Sequence, residues 1–413
     1  MRILFVHQNF PGQFKFLAPA VAADSRNEVV ALTMNTFTGG GIRVCRYAPA
    51  RGNSPEIHPW LTDLESKVIR GEATFRAALA LRQEGFVPDV IVAHPGWGES
   101  LFLKEVWPKA RLGLYCEYHY HAAGADVGFD PEFPVPDLAD DERRQLQSFE
   151  ACRLRLKNVN NLLHFDQASA GLAPTEWQKS RYPEPFRSRI SVIHDGIDTE
   201  ILRPFPQASL TLGERIVLRR DDPVLTFVNR TLEPCRGYHI FMRALPKILR
   251  LHPRVQVLIV GGTEGGYGPR PPDGRTWREV FFNEVSAGIV PDRVFFLGQI
   301  PYAHYVALLQ LSSVHVYLTY PFVLSWSLLE AMSCACAIVA SATPPVEEVI
   351  QHDLNGRLVD FFDPERLADE VLDLLESPAA RERLGSRARA HVQAHFDVKQ
   401  VCLPRQLKWL YSL

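Results

Sequence analysis

The residues best suited to chemistry in this chain follow short apolar runs. After the run 224–228 comes Asn229-Arg230-Thr231-Leu232-Glu233-Pro234-Cys235-Arg236-Gly237-Tyr238. A guanidinium is a planar fork of donors that matches phosphate oxygens in pairs. Arg230 and Arg236 are therefore candidates to hold a diphosphate, and as a bare pattern they read equally well as surface arginines. Gly237 admits a close backbone approach at the start of a helix expected over 240–251. After the run 256–260 stand Gly261 and Gly262, which either let a ligand reach the backbone or simply turn the chain. After 294–297, Gly298-Gln299-Ile300-Pro301-Tyr302 is placed to carry a base-recognition loop around Ile300. After 314–317 runs Leu318-Thr319-Tyr320-Pro321-Phe322-Val323-Leu324-Ser325-Trp326-Ser327-Leu328-Leu329-Glu330-Ala331-Met332. Leu328, Leu329 and Met332 have the spacing of a buried helical stripe, and Ser325 or Ser327 suits the cap. The free N–H groups near Val323, Leu324 and Ser325 would then face an anion. Glu330 is either on a solvated face or an acceptor for ligand hydroxyls.

The first half offers a smaller set. Phe10-Pro11-Gly12-Gln13-Phe14 follows the first apolar run, and Gly12 opens a helix where a phosphate or an acceptor could approach. The spacing GxGxxG of a dinucleotide fingerprint is missing. Strand ends also lead into His94-Pro95-Gly96-Trp97-Gly98-Glu99-Ser100 and Glu117-Tyr118-His119-Tyr120-His121. A single histidine is usually structural, but polar and titratable groups at two adjacent strand ends form a candidate cluster. Asp-x-Asp occurs nowhere. Enzymes that hold a sugar nucleotide through Mg²⁺ or Mn²⁺ usually need such carboxylates. Arginine and a helix terminus can neutralise a diphosphate instead, so no metal and no cofactor are expected.

These groups need scaffolds that end in the right places. Strands are expected at 2–7, 28–33, 90–94, 112–116, 161–164 and 190–193, with Asp166-Gln167-Ala168-Ser169 opening a helix. A second series is expected at 224–228, 256–260, 294–297, 314–317, 337–340 and 356–359. Short apolar strands alternating with helices imply α/β architecture: two Rossmann-like, doubly wound parallel sheets. Ligands of such sheets bind beyond the carboxyl ends of the strands, in the cleft that two facing domains would form. The expected domains are 1–200, with 397–413 packing back on it, and 201–396, joined by a linker at 198–212. Helices are expected over 364–376 and 378–396.

Composition removes other classes. The 413 residues are 46% hydrophobic and 22% charged with a formal net charge of -2. No basic field points to nucleic acid. No run approaches the roughly 18 apolar residues of a spanning helix, and the opening residues read as a first strand rather than a secretory segment, so a cytoplasmic location is expected. Arg243, Lys247, Arg250 and Arg254 form a basic set, read as a solvated helix face with peripheral membrane contact as the alternative. Seven cysteines with irregular spacing read as buried free thiols.

Together these residues resemble glycosyltransferase family 4, over nearly the whole chain and most closely over 224–363. The family pairs an arginine with a basic residue before glycine on the donor diphosphate; Arg230 and Arg236-Gly237 match. Its Glu-x7-Glu motif ends in Glu-Ala-Met, matched by Glu330-Ala331-Met332, whose glutamate would bind the ribose. Pro344-Pro345-Val346-Glu347-Glu348 and Asn355-Gly356-Arg357-Leu358-Val359 look like its later blocks. The chain departs at Phe322, where the first glutamate of the motif falls, at Ser333-Cys334-Ala335-Cys336, which lacks a glycine, and in its first half, where Glu117 or His119 would take the place of the family's catalytic-region histidine. The resemblance implies a GT-B fold and a retaining transfer of a hexose. The donor would be a nucleotide diphosphate sugar, UDP-sugar such as UDP-glucose before GDP-sugar. The acceptor would be a hydroxyl of a saccharide or lipid-linked molecule, in bacterial polysaccharide assembly. With no carboxylate placed as nucleophile, front-face substitution is expected. A nucleotide-sugar epimerase or hydrolase, and a non-catalytic nucleotide-sugar binder, share the donor half and are the competing readings.

Overall fold

A computed structural model describes residues 1–133, 140–213, 216–268, 270–271 and 273–413. By internal contacts it divides into two units. The first holds residues 1–128, 140–196 and 398–413; the second holds 129–133 and 197–397. The junctions fall at Gly196 and Asp397, where the sequence reading has 200 and 396. One piece was not foreseen: residues 129–133 leave the first unit's stretch of chain and belong to the second.

In the first unit, β1 (Arg2–Val6), β2 (Glu28–Thr33), β3 (Arg43–Arg46), β4 (Val90–Ala93), β5 (Arg111–Tyr115), β6 (Ala170–Ala173) and β7 (Ile190–Val192) form one parallel sheet. Its order is β3-β2-β1-β4-β5-β6-β7. β1, β2 and β4 are buried almost throughout, as strands covered on both faces must be. The terminal helix Leu403–Ser412 completes this core: a side chain on Gly113 of β5 would strike Trp409 and Leu413.

The second unit has an antiparallel pair, β8 (Ser209–Leu212), which falls inside the stretch expected to be linker, and β9 (Ile216–Arg219), which follows it. Then β10 (Val224–Thr231), β11 (Gln256–Gly262), β12 (Val294–Gly298), β13 (Val314–Tyr317), β14 (Ala337–Ser341) and β15 (Arg357–Val359) form a parallel sheet in the order β12-β11-β10-β13-β14-β15. Apolar clusters line both faces of it.

The strand expected at 161–164 is a correction. These residues lie in the helix Asp140–Gln167, and the sixth strand is β6. Leu162 and Leu163 suggested a buried strand, yet both are exposed. The inward face is polar. Asn160 donates to Pro95 O at 2.7 Å, Asn161 donates to Tyr118 O at 3.1 Å, and His164 meets Ser100 Oγ at 2.7 Å. Residues 166–167 accordingly end a helix rather than open one. β6 itself, Ala170-Gly171-Leu172-Ala173, has little strand propensity; Gly171 is small because Cys116 and Ile190 crowd it. The seven cysteines are free, and Cys152 is exposed, against the expectation that all are buried. Among the described residues no helix is long and apolar enough to cross a membrane.

Both sheets reverse their winding order between the first strand of the series and its neighbour: β1 against β4, and β10 against β13. The crevice outside the carboxyl ends at such a switch point is where open α/β sheets bind ligands.

Candidate active site

The second unit places its chemistry at the ends of β10 and β13. The β10–β11 register shifts between Val228 and Thr231, a bulge that re-aims the strand end. Arg230 stands there exposed, and among the described residues it has no hydrogen bond or ion pair. Arg236 is 7% exposed. Its Nη1 donates to Thr319 Oγ1 at 2.9 Å and to Val323 O at 3.2 Å. The rings of Tyr267 and Phe322 flank it, with centroids at 5.6 and 5.7 Å. Among the described residues no carboxylate lies within 4.0 Å of it. Burial works against its charge, yet Tyr317, Cys235, Tyr267 and Glu233 outweigh burial and hold its pKa above the ordinary value. The result is a buried cation whose direct hydrogen-bond partners are neutral oxygens, the arrangement of a site built for an anion.

The loop carrying Tyr267 is tied down by Glu233, whose Oε2 accepts from the backbone N–H of Tyr267 at 2.8 Å and of Gly268 at 3.1 Å. Ser325 caps the helix Trp326–Ser333 by accepting from Ser327 N, and its own N–H donates to Tyr317 Oη at 2.9 Å. Glu330 is buried, and Tyr305 Oη donates to its Oε2 at 2.6 Å. Val323 and Leu324 are buried, and the Val323 carbonyl accepts from Arg236. Phe322 thus lies against the guanidinium rather than on a sugar-facing surface of its own. Neither Tyr267 nor Glu233 has a periodicity or spacing that marks it in the sequence.

Gly237 is needed for two reasons. Its φ is +67°, and a Cβ there would overlap Leu318. Gly237→Ala is expected to lose about 2–4 kcal/mol of stability, from the left-handed backbone and the forced repacking. Denaturant unfolding measures it; a change within about 0.5 kcal/mol, that of an ordinary surface substitution, would contradict the packing argument. Gly261 and Gly262 lie inside β11. A Cβ on Gly261 would crowd Leu232 at 2.8 Å, and one on Gly262 would meet Gln299 Nε2 at 3.2 Å. The small size of Gly261 is explained by its protein neighbours, which corrects the reading of an open face there, whereas Gly262 is half-buried and its closest neighbour is the end of a flexible side chain. Ile300 packs with the apolar cluster under β12 and lines a cavity of about 670 Å³ with Leu210, Phe295, Leu297 and His304. That cavity contains none of Arg230, Arg236 and Glu330.

The first unit gathers its polar groups at the ends of β1, β4 and β5. His7 Nε2 lies 2.7 Å from Gln13 Oε1, and Gln13 Nε2 donates to Glu117 Oε1 at 3.0 Å. His94 Nε2 stands 3.3 Å from Glu117 Oε2, off the straight N–H direction. Burial pushes the Glu117 carboxyl up, but His94, His7 and Gln13 outweigh it and the net shift is downward. Burial and the neighbouring His94 lower His7 to about 3, so that ring is neutral. Gly12, with φ +47°, has its Cα face covered by the His7 imidazole, which a Cβ would overlap. This corrects the expectation that the face is open to a phosphate. His119 is not part of the group. It is buried against Tyr182 and His121, and burial lowers it to about 4. His7 and Gln13 went unread because nothing in FPGQF distinguishes a network residue from a loop residue.

Among the described residues one group could offer metal ligands: Asp130, Glu132 and His239. Arg243 donates to both oxygens of Glu132 at 2.8 and 2.7 Å. Asp130 Oδ2 lies 3.0 Å from His239 Nε2 and accepts from Tyr320 Oη at 2.8 Å. These contacts hold residues 129–133 in the second unit, and a cation there would compete with the guanidinium. Arg243 also pairs with Glu284, and Lys247 with Glu365 and Asp369. Half of the basic set is thereby neutralised, as befits a paired helix face.

Comparison with known proteins follows this geometry. A profile described as glycosyl transferase family 4 group matches residues 25–202, and one described as glycosyl transferases group 1 matches residues 213–391. The sucrose-phosphate synthase of Thermosynechococcus elongatus shares the fold at TM-score 0.71 and 19% identity, over 100% of this chain and 98% of that one. The Anabaena protein HepE, solved with UDP-glucose, does so at 0.67 and 17%, over all of both chains. The two parallel-sheet units define the GT-B fold. The D-inositol 3-phosphate glycosyltransferase of Mycobacterium avium is 28% identical over 212 residues, 51% of this chain and 46% of its own length. The spore coat protein SA of Bacillus subtilis is 28% identical over 54% of this chain and 58% of its own. The match thus spans about half the length of the curated relatives. With one profile on each unit, the chain belongs to the family 4, group 1 glycosyl transferases.

Proposed function

We propose that this chain transfers a hexose, with retention and without a metal, from a nucleotide diphosphate sugar to a hydroxyl of a saccharide or lipid-linked acceptor. The observation that carries the reading is Arg236, a buried guanidinium hydrogen-bonded to neutral oxygens at a strand switch point. A diphosphate is the anion that fits a buried fork, a second exposed arginine at Arg230 and a helix start at Ser325. In the reaction, Arg230, Arg236 and the N–H groups of Val323 and Leu324 stabilise charge growing on the leaving phosphate, while the Ser325 N–H stays on Tyr317; such donors are each worth about 3–4 kcal/mol of barrier. The leaving oxygen takes the acceptor's proton on the same face. Glu330, held by Tyr305, accepts from the ribose hydroxyls. UDP-sugar is favoured over GDP-sugar, supported by a fold neighbour solved with UDP-glucose.

Incubation with UDP-glucose and GDP-sugars, alone and with oligosaccharide and glycolipid acceptors, tests this reading. The expected product keeps the donor's anomeric configuration by NMR, at the same rate in EDTA. Free sugar or an epimer without acceptor would make the chain a hydrolase or epimerase. Nucleotide binding without transfer to any acceptor would make it a binder.

A further inference from the structure

The loop that holds Arg236 is itself held by residues far away in sequence. It runs from Leu318, just after β13, to Ser325. Thr319 is fixed near one end: its N–H donates to Ser341 Oγ at 3.1 Å, and its carbonyl accepts from Thr343 Oγ1 at 3.2 Å. Ser325 is fixed at the other end by Tyr317. Between them stands Tyr320. Its backbone N–H donates at 2.9 Å to the carbonyl of Cys235, the neighbour of Arg236, and its own carbonyl accepts from the Phe322 N–H at 2.7 Å. The Tyr320 side chain is buried against residues 129–133 of the same unit. Its Oη donates to Asp130 Oδ2 at 2.8 Å, and its ring meets Phe129 at 5.1 Å and Phe361 at 5.3 Å. Burial, and then Asp130, push the phenol up, so Tyr320 keeps its proton and is the donor. Burial also pushes the Asp130 carboxyl up, but His239 and Tyr320 outweigh it and the net shift is downward. The acceptor is therefore a buried carboxylate.

Asp130 is anchored in turn. Its Oδ1 accepts from the Glu132 N–H at 3.0 Å, Glu132 takes both donors of Arg243, and Phe133 lies edge-on to Trp277 at 5.1 Å. Phe129-Asp130-Pro131-Glu132-Phe133 is thus a strap pinned along its length, and the reaction as read above uses none of it. We propose that Asp130 and Tyr320 are positioning residues: through them the strap fixes the turn 320–323, and with it the Val323 carbonyl that aims the Arg236 guanidinium. This rests on the diphosphate reading above. A packing contact would fill the same space. An ionised acceptor adds direction, because a charge-assisted hydrogen bond is about twice as strong as a neutral one.

Two kinds of measurement decide it. The first needs no nucleotide. In Tyr320→Phe and Asp130→Ala, hydrogen exchange read by mass spectrometry should show 318–325 exchanging about 10-fold faster, the effect of one lost hydrogen bond, with the sheet strands unchanged. Asp130→Asn keeps an oxygen for the Tyr320 hydroxyl and should stay near wild type. Unchanged exchange in Tyr320→Phe, or an Asn variant as fast as the Ala variant, would overturn the role of the hydrogen bond. The second is functional. Tyr320→Phe should weaken UDP binding by calorimetry and lower kcat/KM about 10²-fold, the effect of a misplaced group, while melting near wild type. On an Arg236→Met background the same change should cost no further UDP affinity, since it acts through Arg236. Losses that simply add would overturn the coupling and leave Tyr320 as packing. A wild type that binds no UDP would remove the diphosphate reading, and the positioning role with it, and would leave the exchange result standing as a property of the loop.

Discussion

Arg236→Met is expected to abolish most activity while leaving the fold as stable as before, or more so. The guanidinium is buried with two neutral oxygens as its hydrogen-bond partners and no carboxylate within ion-pair distance among the described residues. Burial costs the guanidinium its hydration, its neighbours offset that cost, and an apolar side chain of similar length removes the cost and the offset together. Removing one donor to a developing oxyanion typically lowers kcat about 10²–10³-fold. The expected outcome is therefore a kcat/KM loss of that order and weaker UDP binding, with Tm unchanged or raised by about 2–4 °C, the shift of a kcal/mol in a unit this size. Calorimetry and kinetics on the same preparation make the check. A variant that keeps its kcat/KM, or loses both stability and activity together, would show that Arg236 serves packing.

Mild acid should unfold the first unit. His7 and His194 are lowered to about 3, and His119 and His164 to about 4, in each case chiefly by burial. A histidine whose folded pKa lies below its unfolded value of about 6.5 binds protons better in the unfolded chain. Its stabilising contribution is complete above about pH 6.5 and is lost as the pH falls from there toward the folded value. Each such group removes about 1.4 kcal/mol per pH unit, so four remove about 5. Glu99 and Asp126, raised by burial, act in the opposite direction, as the pH falls from their raised folded values to the ordinary carboxylate range, and offset part of this loss. Against a typical stability of about 5–15 kcal/mol, the first unit should unfold one to three pH units below 6.5. The second unit has His315 lowered to about 3, with His252 and His391 shifted the same way. Its midpoint should lie at lower pH. Scanning calorimetry from pH 8 to 4.5 should show the first unit's transition fall more steeply; parallel transitions would mean that those histidines are hydrated in solution.

The amino-acid order alone determined the two sheets and the ends of most strands. Short β-branched runs such as 224–228 and 256–260 have no comparable alternative to a strand buried on both faces. The same order placed Arg230, Arg236, Ser325 and Glu330 at strand ends and helix starts, because those positions follow from counting along the chain. It could not settle which glycines face a ligand. Gly12, Gly237 and Gly261 are glycines because His7, Leu318 and Leu232 come from elsewhere in the fold to lie against them. It misread 161–164 because the hydrophobic pair there faces water and the asparagines face loop carbonyls, a polar inward face set by partners far away in sequence. The network around Glu117 was beyond it for the same reason. Residues 7, 13, 94 and 117 meet only when the sheet brings β1, β4 and β5 side by side. Periodicity carries information about burial within one element, whereas the direction of a hydrogen bond between elements exists only once they have packed.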